Sequence, residues 1–418
     1  MPPAPPPRSG LTAPGRALAP FRFPAFRAIW IANLTSNIGS MIQSTGAAWL
    51  MTELTSSHQL VALVQASTTT PIMLLAVFAG AIADNYDRRH VMLAAQSAML
   101  AASALLALLT WSGAIDEVSL LVLTLAVGCG TALNGPAWQA SVRLQVGPGD
   151  LSQAISLNTI AFNLARSVGP ALGGLLISLT SPALAFALNA LSFVALIAVL
   201  LRWRPEQPPR TRQPMLTSIA VGLRFCAGSS PVRRVLLRGV LFGFGAAGYS
   251  ALLPVLVRSR LHGTEIDYGL LLGAFGLGSI LTALWVAPAR RRFGSEAVVS
   301  VSTLVFALAM FPVARAASLV PMMLAALVAG GGWVATLTSL NVAMQLRSPE
   351  AILGRCLSIY QAATFGGMAL GAYGVGLLAD LAGAQQAIEA AALFLLATLA
   401  LRWLAPMPSP REGRVGAT

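Results

Sequence analysis

Long apolar runs separated by short polar stretches dominate the chain from about residue 27 to residue 404. A helix that rises 1.5 Å per residue needs about 20 apolar residues to cross a bilayer. The runs have this length, which excludes a membrane β-barrel, because its strands need only about 10 alternating residues. The pattern predicts twelve membrane-spanning helices, at roughly 27–52, 59–83, 90–111, 118–142, 151–179, 183–201, 234–257, 267–288, 296–315, 318–345, 355–380 and 384–404.

The longest interruption divides these helices into two sets of six. It contains the proline-rich stretch RWRPEQPPRTRQPM, after which roughly 216–226 predicts a short surface helix. The first residues, although basic, lack the apolar core and cleavage site of a signal peptide. The predicted organisation is a cytoplasmic tail at 1–26, a six-helix bundle at 27–202, a cytoplasmic linker at 203–232, a second six-helix bundle at 233–404 and a cytoplasmic tail at 405–418.

The composition supports a membrane protein. Only 10% of the 418 residues are charged and 56% are hydrophobic, whereas soluble proteins carry about 25% charged residues. The net charge of +13 comes from arginines in short clusters, a distribution that argues against nucleic-acid binding. The three cysteines and three histidines are scattered, without metal-ligand or redox spacing. The sequence therefore predicts no enzyme, no cofactor and no metal site.

The arginines also predict the orientation, because cytoplasmic loops are enriched in basic residues. If the N-terminal tail is cytoplasmic, only Arg258, Arg260 and Arg315 fall on the outer side. We therefore expect a multi-pass protein of the inner (plasma) membrane with both termini in the cytoplasm. The inner side then carries the linker arginines together with Arg88, Arg89, Arg143, Arg290, Arg291, Arg292, Arg347 and Arg355.

Two predicted helices resemble each other. Segments 155–178 and 357–380 align without gaps, and the aligned positions include a shared serine, several shared glycines and a shared Gly-Leu-Leu. Parallel repeats of this kind, related by an axis along the membrane normal, are found in transporters. The fifth and eleventh helices are therefore predicted to occupy equivalent places. The identical pairs are Ser156 with Ser358, Gly169 with Gly371, and 174–176 with 376–378.

The loop after the second helix reads GAIADNYDRRHVML (80–93). It resembles the signature loop of the major facilitator superfamily, which latches the two bundles in the outward-open state. Asp87 stands where many relatives have glycine, a variant typical of one exporter branch. The alternative is a generic basic loop. The equivalent loop of the second bundle, VAPARRRFG (286–294), keeps the arginines but lacks the aspartate. The predicted gating residues are Gly80, Asp84, Asp87, Arg88 and Arg89.

The fifth helix contains ARSVGPALGG (165–174), which resembles the antiporter motif of proton-coupled exporters. Proline removes a backbone hydrogen bond and kinks a helix, and the resemblance implies that this bend seals the cavity and favours export. The alternative is that small residues simply allow close helix packing. The predicted bend residues are Gly169, Pro170, Gly173 and Gly174.

A polar face on the first helix and one buried arginine are the candidate cavity residues. Asn33, Asn37, Ser40 and Ser44 share a helical face. Arg166 lies about 22 Å into the fifth helix, where an arginine is expected to face the bundle interior or a water-filled cavity. Helix-to-helix bonding is the alternative in each case. Further candidates are Asn134, Trp138, Asn163, Tyr360 and Thr364.

Segments 253–294 and 353–380 look like the exporter branch that contains the enterobactin exporter and macrolide-efflux proteins. This resemblance implies the major facilitator fold and secondary-active efflux of a small organic molecule of the drug or siderophore class. It also implies proton antiport with alternating access by a monomer, although the sequence shows no carboxylate near midplane. Related alternatives are a lysophospholipid flippase and a small-metabolite importer. A membrane receptor or scaffold without transport is the alternative from another class.

Overall fold

The computed structural model describes residues 18–205, 215–349 and 352–407, and in these ranges every extended regular element is helical. The predicted tails and linker therefore lie partly outside the described residues. The α-helices are α1 (Pro24–Leu54), α2 (His58–Asn85), α3 (Arg88–Trp111), α4 (Glu117–Ser141), α5 (Leu151–Leu179), α6 (Pro182–Arg202), α7 (Met215–Gly228), α8 (Ser230–Ser259), α9 (Glu265–Arg315), α10 (Leu319–Arg347), α11 (Leu353–Ala382), α12 (Ala384–Thr398) and α13 (Leu401–Leu404).

Helix α9 contains a sharp break. Gly294 has φ +83°, a left-handed conformation that glycine adopts without a Cβ penalty. We call the two arms α9a (265–293) and α9b (295–315). Ten helices in the described ranges are long and apolar enough to cross a membrane, and α9 is one of them. With α9 counted as two spans and the more polar, 31-residue α1 added, the predicted all-α fold of twelve transmembrane helices is confirmed.

Short polar residues begin several helices. The Asp116 carboxylate accepts hydrogen bonds from the Ser119 hydroxyl and backbone N–H at the start of α4, and these bonds lower the pKa of Asp116. The Ser57 hydroxyl accepts from the Leu60 N–H at the start of α2. Such caps satisfy backbone donors that the first helical turn leaves free. We use "terminal face" for the side where α1 begins and "distal face" for the side where α1 ends and α2 begins.

The repeat detected in the sequence is visible in the packing within each set. A Cβ added at Gly169 of α5 would lie 2.6 Å from Met41 Cβ of α1. At the aligned position of α11, a Cβ added at Gly371 would meet the carbonyl oxygen of Phe244 in α8. Both glycines therefore let their helix approach the first helix of its own set. Helix α5 relates to α1 as α11 relates to α8.

A second pair of aligned glycines joins the two sets. A Cβ added at Gly174 of α5 would meet the carbonyl oxygen of Glu265 at the start of α9a. At the aligned position of α11, a Cβ added at Gly376 would lie 3.0 Å from Gln59 Cα at the start of α2. These two contacts define two seams between the sets, α5 with α9a and α2 with α11.

The segment 401–407 is bonded to the terminal face of the second set. Arg238 of α8 pairs with Glu296 of α9b at 3.1 Å and also donates to the carbonyls of Leu401 and Ala405. Glu296 in turn accepts from the backbone N–H of Met407. Helix α7, which corresponds to the predicted surface helix, packs through Gly222 on the first turns of α11.

Candidate functional site

The distal face is closed by contacts between the two sets. The indole N–H of Trp49 in α1 donates to Glu53 of the same helix and to Glu265 of α9a, both at 3.0 Å. The Trp49 ring also stacks on Tyr268, with 6.1 Å between ring centroids. Arg258 of α8 donates to the Thr52 hydroxyl. Glu53 and Glu265, one from each set, therefore share one N–H donor.

The second seam is closed at the same face by Asp380, near the end of α11. Its carboxylate accepts from the Ser57 hydroxyl at 2.9 Å and from the backbone N–H groups of His58 and Gln59. These two N–H groups belong to the first turn of α2, where the helix dipole favours a negative charge. Asp380 thus binds the helix start of the opposite set.

A small polar cavity of about 20 Å³, which we call the polar chamber, lies between the sets beneath this closure. Ser44 is the most exposed of the polar residues predicted on the face of α1, whereas Asn37 and Ser40 are half-buried and Asn33 is buried. Gln65 and Thr68 enter the chamber from α2, and the chamber wall is polar on both sides. Its lining residues are Ser44, Ala48, Val61, Val64, Gln65, Thr68, Ser250, Ala251 and Tyr268.

Arg166 lies in the middle of α5 and reaches across to the second set. Its guanidinium carbon is 5.7 Å from the ring centroids of both Phe275 in α9a and Trp333 in α10. These distances are typical of cation–π contacts. The two rings belong to an aromatic wall whose other members are Phe242, Tyr249 and Phe306.

The predicted α5 motif packs on two faces. Gly169 and Gly173, four residues apart, contact α1 at Met41 and Ile42, while Pro170 and Gly174 contact α9a. A Cβ at Gly269 of α9a would lie 2.7 Å from the Pro170 carbonyl oxygen. Proline also lacks the N–H that would bond the carbonyl of Arg166 four residues earlier. The motif therefore carries a close contact within the first set and another between the sets.

The arginines of the predicted gating loop bind helix ends within the first set. The Arg88 guanidinium donates to the Ala140 carbonyl at the end of α4 at 2.8 Å. Arg89 donates to the carbonyls of Leu200 and Leu201 at the end of α6, at 2.8 and 2.9 Å. Cations at helix C-termini are stabilised by the exposed carbonyls.

The other three gating residues lie on either side of the α2–α3 turn. Asp87 caps α3, since its carboxylate accepts from the Arg89 backbone N–H. A Cβ at Gly80 would lie 3.1 Å from the Ser358 hydroxyl of α11, so the loop begins at a seam between the sets. Asp84 lies in the last turn of α2, and its side chain is outside what the structure describes.

The remaining candidates lie apart from the chamber lining. Trp138 packs among α1, α3 and α6 side chains of the first set. The Asn163 amide donates to the Thr159 carbonyl of its own helix. Tyr360 and Thr364 are buried in the second set beside Gly239 of α8. Asn134 is half-buried in α4, with an amide oxygen that accepts no hydrogen bond from the described residues.

Sequence reasoning missed several residues between the sets. Trp49, Phe275 and Trp333 were passed over because aromatic side chains are common in any apolar helix. Gln65 and Thr68 could have been found, since their i, i+3 spacing places them on one face of α2. The described residues contain no group of three histidines, cysteines or carboxylates that could hold a metal ion.

Comparison with known proteins gives a consistent family. The model of the transmembrane secretion effector family matches residues 15–415. The chain is 28% identical over 360 residues to the enterobactin exporter EntS of Shigella boydii, covering 84% of each chain. It is 27% identical over 406 residues to the multidrug efflux pump Tap of Mycobacterium tuberculosis, covering 94% of this chain and 95% of the pump.

Solved structures show the same fold. A bacterial homologue of the human lysosomal transporter Spinster, in an inward-facing and occupied conformation, superimposes with a TM-score of 0.75 at 15% identity. That match covers 92% of this chain and 97% of the homologue. The nucleoside transporter NupG gives a TM-score of 0.72 at 13% identity, covering 92% and 99%.

Proposed function

The chain belongs to the transmembrane secretion effector family of major facilitator transporters, and we propose that it exports a small organic molecule by alternating access. Secretion or efflux is the activity of the family, and the chain is distantly related to siderophore and drug exporters. We propose that its cargo is a drug or a siderophore, so that its activity would give the cell drug resistance or siderophore export.

The observation that carries the proposal is a polar chamber between the two sets, closed at one face. Trp49 and Asp380 close that face through hydrogen bonds to the opposite set. The space beneath it is lined by Ser44, Gln65 and Ser250. Alternating access requires a site between two bundles that rock against each other. Hydrogen bonds at a single face can break and re-form during such a motion.

Proton antiport is the proposed energy source. Glu53 and Glu265 come from different sets and share the Trp49 donor, with Arg258 nearby on α8. Repulsion between two ionised carboxylates opposes closure, so a proton on Glu53 favours the closed distal face. We propose that the distal face is external. External protons would then close the emptied carrier and favour its return to the cytoplasmic side.

The further proposals concern the setting. The arginine distribution supports cytoplasmic termini in the inner membrane, and the twelve-helix chain supports action as a monomer. Three features remain predictions: the bundle boundaries near 27–202 and 233–404, the gating roles of Asp84 and its neighbours, and the α5 bend.

A flippase or importer of the same fold is the second candidate. A receptor or scaffold is less favoured, because it requires no separable closure.

The proposed function can be tested in everted membrane vesicles that contain the protein. The vesicles are energised and challenged in turn with a siderophore, a macrolide, a cationic dye and a lysolipid while internal pH is followed. We expect substrate-dependent proton release, and we expect it to be lost with Asp84→Asn although that variant inserts normally. Movement of lysolipid alone would favour the flippase, and no movement of any compound would favour the receptor or scaffold.

A further inference from the structure

Arg166 is a cation that has no ion-pair partner among the described residues. It lies in the middle of the 29-residue α5. The described acidic residues lie close to helix ends or in the connecting turns, as Glu53, Asp87, Glu265, Glu296 and Asp380 illustrate. None of the described ion pairs includes Arg166. Arg166 is half-buried, and a charge within the hydrocarbon region is costly unless it is paired or reaches water, so an anion bound here would stabilise it.

The surroundings of this charge are aromatic and supply one further unused donor. Arg166 contacts the rings of Phe275 and Trp333, each 5.7 Å away. Trp333 is 7% exposed, and its indole N–H has no acceptor among the described residues. Buried polar groups normally have hydrogen-bond partners. Two donors without an acceptor, beside flat apolar rings, match a ligand that brings an anionic oxygen and an aromatic body.

The placement puts this contact between the two sets. Arg166 belongs to α5, whereas Phe275 and Trp333 belong to α9a and α10. A ligand bound here would touch both sets and would respond to their relative motion. The polar chamber lined by Ser44 and Gln65 lies between the same sets, nearer to the distal face.

We propose that the cargo is an organic anion with an aromatic body, whose anionic group pairs with Arg166 while its ring packs on Phe275 and Trp333. This inference rests on the proposed export function and names its substrate class. Pairing with an anion supplies the charge partner that the described part of the protein lacks. A cation of the same shape would be repelled by the guanidinium.

A set of three probes with one aromatic body isolates the charge. Dansylglycine is an anion, dansylglycinamide is neutral and dansylethylenediamine is a cation. Their binding to purified protein in lipid nanodiscs is measured by dansyl fluorescence, which does not require transport. The variants are Arg166→Gln, which removes the charge, and Arg166→Lys, which keeps it. Arg292→Gln is the matched control, since Arg292 also lies over an aromatic ring, that of Phe293.

We expect the anion to bind at least tenfold more tightly than the neutral probe, and the cation to bind more weakly still. Arg166→Gln should weaken binding of the anion at least tenfold and of the neutral probe less than twofold. Arg166→Lys should retain the preference for the anion, and Arg292→Gln should change nothing. Thermal melting of each variant confirms that it is folded, and the lysine variant keeps the test informative if the glutamine variant is unstable.

Other results would overturn the inference. Equal binding of the three probes, binding of none, or unchanged anion binding by folded Arg166→Gln protein would each contradict an anionic cargo. Transport in everted vesicles separates this outcome from failure of the proposed function. Export of the cation alone would support the proposed export function and contradict the anionic cargo. Charge-selective binding without any transport would support the anionic ligand and contradict the export function.

Discussion

Trp49 and Glu265 link the two helical sets through a single hydrogen bond of 3.0 Å from the indole Nε1 to a carboxylate oxygen. The same N–H also donates a hydrogen bond to the Glu53 carboxylate. The donor therefore holds together two carboxylates that would otherwise repel each other across the boundary between the sets. This arrangement makes the distal closure sensitive to a small change, and the first two predictions test it.

Replacement of Trp49 by phenylalanine should open the distal face. The ring is largely kept, but the carboxylates lose their shared donor, and a hydrogen bond to a charged group is worth about 1.5–3 kcal/mol. We expect roughly tenfold faster labelling of a Ser44→Cys probe, in a background without native cysteines, by a membrane-impermeant thiol reagent added at the distal face. Trp30→Phe is the control. Trp30 lies at the opposite end of α1 from Trp49, and its indole N–H donates to the Leu157 carbonyl of α5. Equal labelling in both variants would contradict the role of Trp49.

The same labelling should depend on pH. At low pH a proton on Glu53 removes its repulsion from Glu265 and favours closure, so labelling of Ser44→Cys should increase as pH rises. Glu53→Gln removes one of the two charges and should flatten this dependence. A Ser112→Cys probe in the exposed turn after α3 corrects for the intrinsic pH dependence of thiol reactivity. A pH profile that is unchanged in Glu53→Gln would exclude this pair as the source.

Alanine at the seam glycines should impair both stability and transport. An added Cβ at Gly174 meets the backbone of Glu265, and one at Gly376 lies 2.7 Å from Ala62 Cβ. Overpacking of this kind costs about 1–3 kcal/mol, and we expect a lower melting temperature with at least tenfold slower transport. Gly374→Ala is the control in the same helix, since its Cβ would meet only Phe244 Cζ at an ordinary 3.8 Å. Equal effects at positions 374 and 376 would show that helix propensity, and not the seam, is responsible.

The buried ion pair of the second set should matter more than its exposed counterpart. Arg238→Gln leaves Glu296 unpaired and releases the carbonyls of Leu401 and Ala405. Loss of one partner from a fully buried pair costs about 3–5 kcal/mol, and a smaller loss is expected here because the Glu296 side chain is 27% exposed. Arg315→Gln removes a pair with Glu389 in which the arginine side chain is 61% exposed, and little change is expected there. The melting temperatures of the two variants provide the comparison, and similar values would contradict the proposed stabilising role of the Arg238–Glu296 pair.

The sequence predicts the helices well because run length alone identifies a membrane-spanning segment. It also places Arg166 at mid-membrane, since depth follows from the rise per residue. It does not reveal that Arg166 faces Phe275 and Trp333, because those residues come from helices whose position depends on the packing of all twelve. Tyr360 and Thr364 illustrate the same limit: their polarity identifies them, yet the structure buries them beside Gly239, away from the chamber lining.

The two glycine seams have a mechanical consequence. At Gly174 and at Gly376 an added Cβ would meet the backbone or a short side chain of the opposing helix. Interlocked side chains would have to change rotamer whenever the bundles tilt, and each change would add to the barrier. Contacts made through backbone and short side chains require fewer such rotamer changes. We therefore expect the two aligned glycine contacts to lower the barrier to relative motion of the two sets.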